Sequence, residues 1–440
     1  MSNKTLYFLG IGGIGMSALA QYYLHQGANV HGYDLTPSPI TERLAQLGAV
    51  IHYNEDCSKI PAHVDMVVVT PAVPKEHAEY RYFVEHGIPM HKRSEVLGHI
   101  THDLPTIAVA GTHGKTTTTS LVSHLLSPEV PIAGFIGGIA KNFGSNFVYD
   151  SHPQMAVAEA DEYDRSFLTL HPAAAVITSM DADHLDIYGT RENLIAAFGQ
   201  FGSQSRHLIV EKTIAHLLSH PDKVTYGFQP DADYYAYNVD VKPNLLTFDL
   251  RMPDGEWKGL KLRANGLYNV LNATAAIAAV RHTNHVSEAI IRDKLVVFSG
   301  VKRRFEYVVE RPDFIYIDDY AHHPQEINSV LTAVRRLYPD RKLTCIFQPH
   351  LYSRTRDFGS EFAKVLSQAD KVILLPIYPA RELPMEGITS EWLLGMVTQP
   401  DKLLLQKPEL VPYLREHPQE LLLTVGAGDI DRLVPEIGEL

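Results

Sequence analysis

The first hundred residues alternate short apolar runs with longer amphipathic segments. The runs "TLYFLG", "NVHGYD" and "VDMVVVTPAV" predict buried strands, and the intervening segments "GMSALAQYYLHQG" and "TERLAQLG" predict helices. Strands that alternate with helices are typical of a parallel sheet covered by helices. The pattern begins again near residue 100 with "PTIAVAG", and "MAVAEADE" and "AAAVITSMDADHLD" predict further buried strands that end in acidic loops.

The alternation breaks between residues 224 and 263. There "LLTFDLRMPDGEWKGLKL" predicts two strands joined by a Pro-Asp-Gly turn, and the alanine-rich helix "NVLNATAAIAAV" follows. A third alternating unit begins near residue 300, with strands in "FIYIDDY", "LTCIFQPH", "KVILLPIYP", "DKLLLQ" and "LLLTVGAGD". We therefore predict an α/β fold of three domains, each on a mostly parallel sheet. The predicted domains are a Rossmann-like domain (1–100), a central P-loop ATPase-like domain (101–298) and a C-terminal Rossmann-like domain (299–440).

Composition narrows the class of protein. The 440 residues are 45% hydrophobic and 20% charged, which is typical of a folded protein with several domains. The net charge of −12 argues against a nucleic acid or an anionic membrane as the main partner. No apolar run reaches about 18 residues, so no membrane span is expected. Two cysteines, Cys57 and Cys345, are too few for a disulfide framework and favour a reducing cytoplasm.

A first glycine loop, "GIGGIG", follows the first predicted strand. Gly10, Gly12 and Gly15 match G-x-G-x-x-G, in which the glycines permit a tight turn, a close approach of a pyrophosphate and close packing of helix on strand. Asp34 ends the second strand, about 20 residues on, where a dinucleotide site places its ribose-binding acid. Taken alone, the motif predicts NAD. A turn without a ligand and a different pyrophosphate, such as that of a nucleotide sugar, remain alternatives.

A second glycine loop, "GTHGKTTTT", lies between a predicted strand and a predicted helix. Lys115 is placed to reach terminal phosphates, and the hydroxyl of Thr116 can ligate Mg²⁺. Val109 occupies the place of the first glycine in the usual P-loop pattern, which predicts a shortened phosphate cradle. The nucleotide expected here is ATP.

Acidic loops follow the next strands. Ligands of an open parallel sheet gather at the carboxyl ends of its strands, so Glu159 and His184 are candidates for the metal near Thr116. A helix cap is the alternative for Glu159, and a hydrogen-bonded turn is the alternative for His184. The neighbouring carboxylates Asp161, Glu162 and Asp181 are expected to be solvated or to cap helices.

Eight segments in order resemble one family. They are "FLGIGGIGMSALA", "AGTHGKTTTT", "EADEYDRSFL", "ITSMDADHLDIYG", "GLYNVLNATAAIA", "GVKRRFEY", "IDDYAHHPQEI" and "FQPHLYSRTRDF". Together they resemble the Mur ligase family over nearly the whole chain, and within it the branch that adds alanine. The resemblance implies an ATP- and Mg²⁺-dependent ligase that joins L-alanine to the lactoyl carboxylate of UDP-N-acetylmuramate through an acyl phosphate, in peptidoglycan precursor synthesis. It also implies that the first glycine loop holds a UDP-sugar pyrophosphate rather than NAD.

The resemblance implies roles for individual residues. Those implied for the UDP-sugar are Gly12, Ile14, Gly15, Ser17 and Asp34. Those implied for ATP are Gly111, Thr112, His113, Gly114, Lys115, Thr116, Thr117, Asn269, Asn272, Arg303 and Asp318. Those implied for the metal are Thr116, Glu159 and His184. Those implied for the amino acid and the reacting carboxylate are Tyr320, His322 and Arg354, and the catalytic set is Lys115, Arg303, His322 and Arg354.

Two features of the sequence differ from other members of the family. Many members carry an arginine where Leu351 stands, so a contact from that position is lost or supplied elsewhere. Related ligases use a carbamylated lysine shortly after the "DH" motif, but no lysine lies between His184 and Lys212, so none is expected. The partners expected are the two small substrates, with the protein a monomer or a weak homodimer.

Three competing functions remain open at this point. The nearest is a related ligase that attaches a preformed murein peptide to the same sugar nucleotide. An NAD-dependent oxidoreductase would explain only the first glycine loop, and a non-catalytic nucleotide switch would explain only the second.

Overall fold

The computed structural model describes residues 3–181, 185–283, 286–380 and 382–440. The chain divides into two compact units, residues 1–301 and residues 302–440. The first unit contains two sheets and the second contains one. Among the described residues, no helix combines the length and the apolar character needed to cross a membrane.

The first sheet is entirely parallel, in the order β3-β2-β1-β4-β5. The chain runs from β1 outward to β2 and β3 on one side and then returns to β4 and β5 on the other, so the loop after β1 lies at a switch point, where α/β sheets bind ligands. The strands are β1 (Thr5–Leu9), β2 (Asn29–Tyr33), β3 (Val50–His52), β4 (Met66–Val69) and β5 (Met90–Lys92). The helices are α1 (Ile14–His25), α2 (Pro39–Gln46), α3 (Ala78–Glu85) and α4 (Arg93–Asp103).

The second sheet has ten strands in the order β15-β14-β13-β12-β11-β10-β6-β9-β7-β8. It is parallel from β13 to β7 and antiparallel at both ends. The strands are β6 (Thr106–Ala110), β7 (Ile132–Ala140), β8 (Ser145–Tyr149), β9 (Met155–Glu159), β10 (Ala174–Ile177), β11 (His207–Glu211), β12 (Lys223–Gly227), β13 (Tyr234–Lys242), β14 (Leu245–Met252) and β15 (Gly255–Leu262). The helices are α5 (Lys115–Leu126), α6 (Leu185–Tyr188), α7 (Arg191–Ser203), α8 (Tyr268–Thr283) and α9 (Glu288–Val297).

The third sheet has the order β16-β17-β21-β18-β19-β20, and only its edge strand β16 is antiparallel. The strands are β16 (Glu306–Glu310), β17 (Ile315–Asp319), β18 (Leu343–Phe347), β19 (Lys371–Leu374), β20 (Lys402–Leu404) and β21 (Leu421–Val425). The helices are α10 (Pro324–Leu337), α11 (Tyr352–Asp357), α12 (Gly359–Leu366), α13 (Ser390–Met396), α14 (Lys407–Glu416) and α15 (Val434–Gly438). Short 3₁₀ segments are Cys57–Lys59, Tyr163–Thr169, Ala215–Leu217 and Asp429–Leu433.

Helix α1 joins the first two sheets into one compact unit. It packs against β7 and β8, where the ring of Tyr22 lies 5.7 Å from that of Phe135 and 6.3 Å from that of Phe147. The buried amide of Gln21 donates to Asn146 Oδ1 at 3.2 Å. The two sheets therefore share a core, although the sequence pattern restarts between them. The predicted α/β class with mostly parallel sheets is confirmed.

Candidate active site

The second glycine loop connects β6 to α5 at the carboxyl edge of the central sheet. Gly111 has a φ of +137° and Gly114 a φ of +80°, a region that L side chains rarely adopt. A Cβ on Gly114 would lie 2.6 Å from Asn272 Oδ1. A larger residue is therefore disfavoured at this position both by the backbone conformation and by a steric clash. Val109 lies inside β6 and is fully buried, so the loop turns only after the strand has ended. Residues 111–114, called the phosphate loop below because of their motif, lead directly into the first turn of α5, whose N–H groups favour anions.

Lys115 forms a buried ion pair at this loop. Its Nζ lies 2.8 Å from Glu162 Oε2, and it donates to the Gly111 carbonyl at 2.6 Å. Burial lowers the pKa of Lys115, but the carboxylates of Glu162, Asp161 and Glu159 outweigh burial and hold that pKa above its ordinary value. Burial in turn raises the pKa of Glu162, which Lys115 opposes. The sequence-based expectation that Glu162 is solvated is wrong, because its side chain is fully buried against Lys115.

Thr116 and Glu159 lie side by side. The Thr116 hydroxyl donates to Glu159 Oε1 at 3.1 Å, and the backbone N–H of Gly137 donates to Glu159 Oε2 at 2.9 Å. A hydroxyl and a carboxylate are the hard oxygen donors that Mg²⁺ prefers. His184, the third predicted metal ligand, lies outside the described residues.

Two asparagines at the start of α8 face the phosphate loop. Asn272 Oδ1 accepts from the Thr118 hydroxyl at 3.3 Å, and Asn272 Nδ2 donates to Asn269 Oδ1 at 2.9 Å. Asn269 Nδ2 donates to the Asn265 carbonyl at 2.6 Å, so its amide does not cap α8. Both side chains are buried, and the predicted ATP residues from two distant segments are therefore neighbours in space.

Residues after β10 brace the rest of the loop. The hydroxyl of Ser179 accepts from the His113 N–H at 2.8 Å and lies 2.8 Å from the Thr112 hydroxyl. His113 Nε2 lies 3.5 Å from Asp181 Oδ2. Thr117 is half-buried in the first turn of α5. This bracing sets the loop conformation before any ligand binds.

The first glycine loop is held by Asp34. The Gly12 N–H donates to Asp34 Oδ2 at 2.7 Å, which joins the loop to the residue that follows β2. Ser17 is fully buried, and its hydroxyl donates to the Ile14 carbonyl at 3.0 Å and accepts from Asn146 Nδ2 at 2.9 Å. A contact between the Ser17 side chain and a nucleotide would require these bonds to break.

Arg93 lies against the same loop. A Cβ on Gly15 would lie 2.8 Å from Arg93 Cδ and 3.1 Å from Arg93 Nη1, so the missing side chain makes room for this guanidinium. Sequence reasoning missed Arg93 because it lies at the start of α4, far along the chain from the glycines. The proximity of Arg93 to the glycine loop becomes visible only when the fold is known.

Arg303 and Asp318 form a buried ion pair in the second unit, as Lys115 and Glu162 do in the first. Arg303 Nε lies 2.9 Å from Asp318 Oδ2, and its Nη2 donates to the Gly426 carbonyl at 2.6 Å. Asp318 Oδ1 accepts from the Thr424 hydroxyl at 2.6 Å. Burial raises the pKa of Asp318, while Arg303 opposes that rise. The φ of Arg303 is +59°, a conformation that these contacts hold in place.

His322 follows the same strand, in a half-buried position. Its Nδ1 lies 3.0 Å from the Tyr320 carbonyl and 3.4 Å from Glu326 Oε2. Burial lowers the pKa of His322, Glu326 opposes this, and the charge of Arg354 lowers it further. The Nδ1 contact with a carbonyl favours a proton on Nδ1, which leaves Nε2 as a base.

Tyr320 lies under two cations. The guanidinium carbons of Arg303 and Arg304 lie 5.3 and 5.4 Å from the centroid of its ring. Leu351, where many relatives are expected to carry arginine, has a φ of +69° and immediately precedes α11, which carries Arg354. The second unit therefore gathers Arg303, Tyr320 and His322 around the end of β17.

Comparisons with known proteins identify the family. Curated UDP-N-acetylmuramate–L-alanine ligases from Flavobacterium psychrophilum and Porphyromonas gingivalis strain W83 are 47% and 45% identical to this chain, each over 98% of it and 97% of the relative. The chain belongs to the Mur ligase family. Three Mur ligase models match it in order: the family's catalytic domain (5–104), the middle domain (109–280) and the glutamate ligase domain (303–430).

Solved Mur ligase structures agree with the fold. The UDP-N-acetylmuramate–alanine ligase of Thermotoga maritima superposes with a TM-score of 0.84 at 28% identity, covering 99% of this chain and 98% of that one. A murein peptide ligase from Psychrobacter arcticus superposes with a TM-score of 0.74 at 22% identity, covering 100% of this chain and 99% of that one. The second similarity supports the shared Mur ligase fold only.

Proposed function

We propose that this Mur ligase joins L-alanine to the lactoyl carboxylate of UDP-N-acetylmuramate, consuming ATP and releasing ADP and phosphate. The choice of substrates rests on relatives of that name that are more than 40% identical over nearly the whole chain. The observation that carries the nucleotide-driven chemistry is the buried Lys115 at the phosphate loop. The product is a precursor of peptidoglycan.

ATP is the proposed ligand of the loop between β6 and α5. The backbone of Gly111, Thr112, His113 and Gly114 would surround its phosphates, and Lys115, Thr116 and Thr117 would contact them from α5. The side chain of Lys115 already points into the loop, because its ammonium donates a hydrogen bond to the Gly111 carbonyl. Asn269 and Asn272 would hold the adenine, since they lie beside the loop and Asn272 contacts Thr118.

The oxygen donors of Thr116 and Glu159 fit a Mg²⁺ ion, and His184 is proposed as a further ligand. When bound, Mg²⁺ neutralises charge on the phosphates and orients the γ-phosphoryl group. Glu159 is held for this role by the N–H of Gly137. A Cβ on Gly137 would fall against the Glu159 carboxylate, so this glycine is needed for the close approach.

The UDP-sugar is proposed to lie at the first glycine loop. Gly12, Ile14 and Gly15 would present backbone to the pyrophosphate at the start of α1, with Asp34 toward the uridine and Ser17 one helical turn further on. Arg93 adds the positive charge that a pyrophosphate requires. This charge favours a pyrophosphate ligand over a turn without function.

Roles in the reaction are also proposed for residues of the second unit. Arg303 is proposed to stabilise charge on the transferring phosphoryl group, and Asp318 to lie toward the ribose of ATP. Tyr320, His322 and Arg354 would surround the amino acid and the reacting carboxylate. A well-placed donor at such a site contributes about 3 kcal/mol to lowering the barrier.

The chemistry follows from the leaving group. A carboxylate cannot expel oxide, so the γ-phosphoryl group is transferred to it, and the resulting acyl phosphate expels phosphate when the amine attacks. Alanine must attack as a free amine, and a neutral His322 is suited to accept its proton. The acyl phosphate hydrolyses in water, so the site must exclude water during the reaction.

One assay tests the proposal. Phosphate release is measured with ATP and UDP-N-acetylmuramate in the presence of L-alanine, glycine, L-serine or a murein tripeptide, each amine in turn. We expect release that depends on the sugar nucleotide and is fastest with L-alanine. Fastest release with the tripeptide would assign the peptide-adding reaction instead, and release independent of any amine would contradict a ligase.

A further inference from the structure

Three side chains that could ligate a metal lie close together at the edge of the central sheet that is opposite to the edge with the phosphate loop. His207 begins β11, Asp222 precedes β12, and His282 lies in the last turn of α8. Their donor atoms all lie within 4.8 Å of one another, and among the described residues they are the group of this kind that could hold a metal ion. Because β11 and β12 run parallel to β6, their amino ends lie away from the loop that follows β6. The proposed reaction uses none of the three.

Two neighbours compete for one ring nitrogen in this cluster. His207 Nδ1 lies 2.6 Å from Asp222 Oδ2 and 3.1 Å from His282 Nε2. A ring nitrogen carries either a hydrogen or a lone pair, so His207 Nδ1 cannot donate to the carboxylate and accept from the second ring together. The third pair, His282 Nε2 and Asp222 Oδ1, is 3.7 Å apart, too long for a hydrogen bond. A cation between the three groups would satisfy all of them at once.

We propose that His207, Asp222 and His282 bind a divalent transition-metal ion of the zinc class. The ion would link the C-terminal end of α8 to the amino ends of β11 and β12. This inference goes beyond the ligase reaction and is independent of it.

The donor set and its spacing select the ion. Two imidazoles and one carboxylate suit Zn²⁺ or Co²⁺, whereas Mg²⁺ and Ca²⁺ prefer sites made mostly of oxygen. Zinc–ligand bonds of about 2.0–2.2 Å in tetrahedral geometry place ligand atoms about 3.3 Å apart. The two imidazole nitrogens are 3.1 Å apart, near that value. The Asp222 carboxylate lies 2.6 Å from His207 Nδ1 through Oδ2 and 3.7 Å from His282 Nε2 through Oδ1. Three protein ligands leave the fourth position for water.

The ligands are positioned by contacts that need no metal. The Leu208 N–H donates to the Asp222 carbonyl at 3.0 Å, which fixes the two strand ends against each other. His220 Nδ1 accepts from the Asp222 N–H at 3.1 Å, and its Nε2 lies 3.1 Å from the Ser205 carbonyl. Both nitrogens of His220 are engaged, so His220 is a positioning residue and not a fourth ligand.

The site acts on the helix that carries the proposed adenine residues. Asn272 and His282 are separated by ten residues of α8, about 15 Å along the helix axis. An ion at one end would therefore fix a helix whose other end faces the phosphate loop. We expect bound metal to raise the stability of the first unit, because an ion that binds only the folded chain stabilises it.

The test uses Co²⁺ as a visible probe. The untagged chain is titrated with Co²⁺ in excess Mg²⁺, which suppresses Co²⁺ binding at the phosphate loop, and the absorption of bound Co²⁺ is recorded. We expect one ion per chain, displaced by Zn²⁺, and a rise in Tm with Zn²⁺. His282→Ala and Asp222→Asn should each weaken binding at least about tenfold, since even residues behind the ligands matter by that factor. His216→Ala, an exposed histidine in the Ala215–Leu217 segment, is the matched control.

Two results would overturn the proposal. One is the absence of saturable Co²⁺ binding, and the other is equal binding by the native chain and the variant with all three ligands replaced. Asp222→Asn preserves the shape of the side chain, so it carries the test if His282→Ala does not fold. The assay reads the ion directly, so failure of the ligase assignment leaves it unaffected.

Discussion

The ammonium of Lys115 and the carboxylate of Glu162 form a buried ion pair, with 2.8 Å between Nζ and Oε2. Lys115 belongs to the phosphate loop, whereas Glu162 belongs to the acidic segment after β9. The pair keeps a charged ammonium inside the protein before a nucleotide arrives, because a buried ammonium without a carboxylate would lose its proton. Negative phosphates would then compete with Glu162 for the same cation.

Replacing Lys115 tests the phosphate loop. Lys115→Ala should lower phosphate release by more than about 100-fold, since removal of one such donor costs about 3 kcal/mol of transition-state stabilisation. It should leave UDP-sugar binding intact. Phosphate release and calorimetric titration with UDP-N-acetylmuramate measure the two effects.

Lys364→Ala, on the exposed face of α12, is the control for loss of a lysine and should behave as the native chain. Near-native phosphate release by Lys115→Ala would remove Lys115 from the catalytic set. Because the variant removes the ammonium that lies beside the buried Glu162 carboxylate, the stability of the variant should also fall, by up to about 3–5 kcal/mol.

Two glycines with positive φ provide a matched pair. Gly114→Ala combines an unfavourable backbone with a Cβ 2.6 Å from Asn272 Oδ1, whereas Gly144→Ala has a φ of +59° with nothing within 4 Å. The backbone cost, about 1–2 kcal/mol, is common to both. We expect only Gly114→Ala to raise the KM for ATP, by about tenfold or more, because it also displaces Asn272. Equal KM values in the two variants would mean that the contact with Asn272 does not shape the site.

Arg93 is predicted to bind the pyrophosphate of the sugar nucleotide. Arg93→Ala should raise the KM for UDP-N-acetylmuramate about tenfold and leave that for ATP unchanged, since a charged hydrogen bond contributes about 1.5–3 kcal/mol. Steady-state kinetics with each substrate varied in turn measure this. Arg81→Ala, at an exposed position of α3, is the control. A change in the KM for ATP alone would place Arg93 elsewhere in the reaction.

Alternating strands and helices could be predicted from the sequence because each is a local pattern. At one end of the central sheet, the hairpin of β14 and β15 was predicted from its Pro-Asp-Gly turn, but strands β7 and β13 were not. Strand β7 contains the run "IAGFIGG", in which apolar and polar residues do not alternate and glycines weaken the strand signal. This segment becomes a strand through its pairing with β8 and β9. Strand β13 was likewise missed, although its pairing with β14 forms one of the two antiparallel ends of that sheet.

Motifs identified the two glycine loops, yet the groups that complete them are distant in sequence. Glu162 was expected to be solvated because carboxylates are rarely buried without a partner, and its partner Lys115 lies 47 residues away. Arg93 becomes relevant only when α4 is packed against α1. Charge pairing across a fold is set by tertiary packing, which a single sequence does not display.

Asp319, at the end of β17, is expected to make the stability of the protein depend on pH. Burial raises the pKa of Asp319 to about 6 from 3.8, although Arg304 and the N–H groups of Phe305 and Ala321 oppose the rise. Between these values the folded chain holds a proton that the unfolded chain has lost, so this group's contribution to stability falls as pH rises. Relative to Asp319→Asn, which cannot ionise, the free energy of unfolding of the native protein should drop by about 2 kcal/mol between pH 4.5 and pH 7.5.

Urea unfolding of both proteins at the two pH values measures this difference. The other carboxylates titrate equally in both proteins, so their contributions cancel. A difference that is constant with pH would mean that Asp319 ionises normally, held as a carboxylate by the two backbone N–H groups at 2.6 and 2.8 Å.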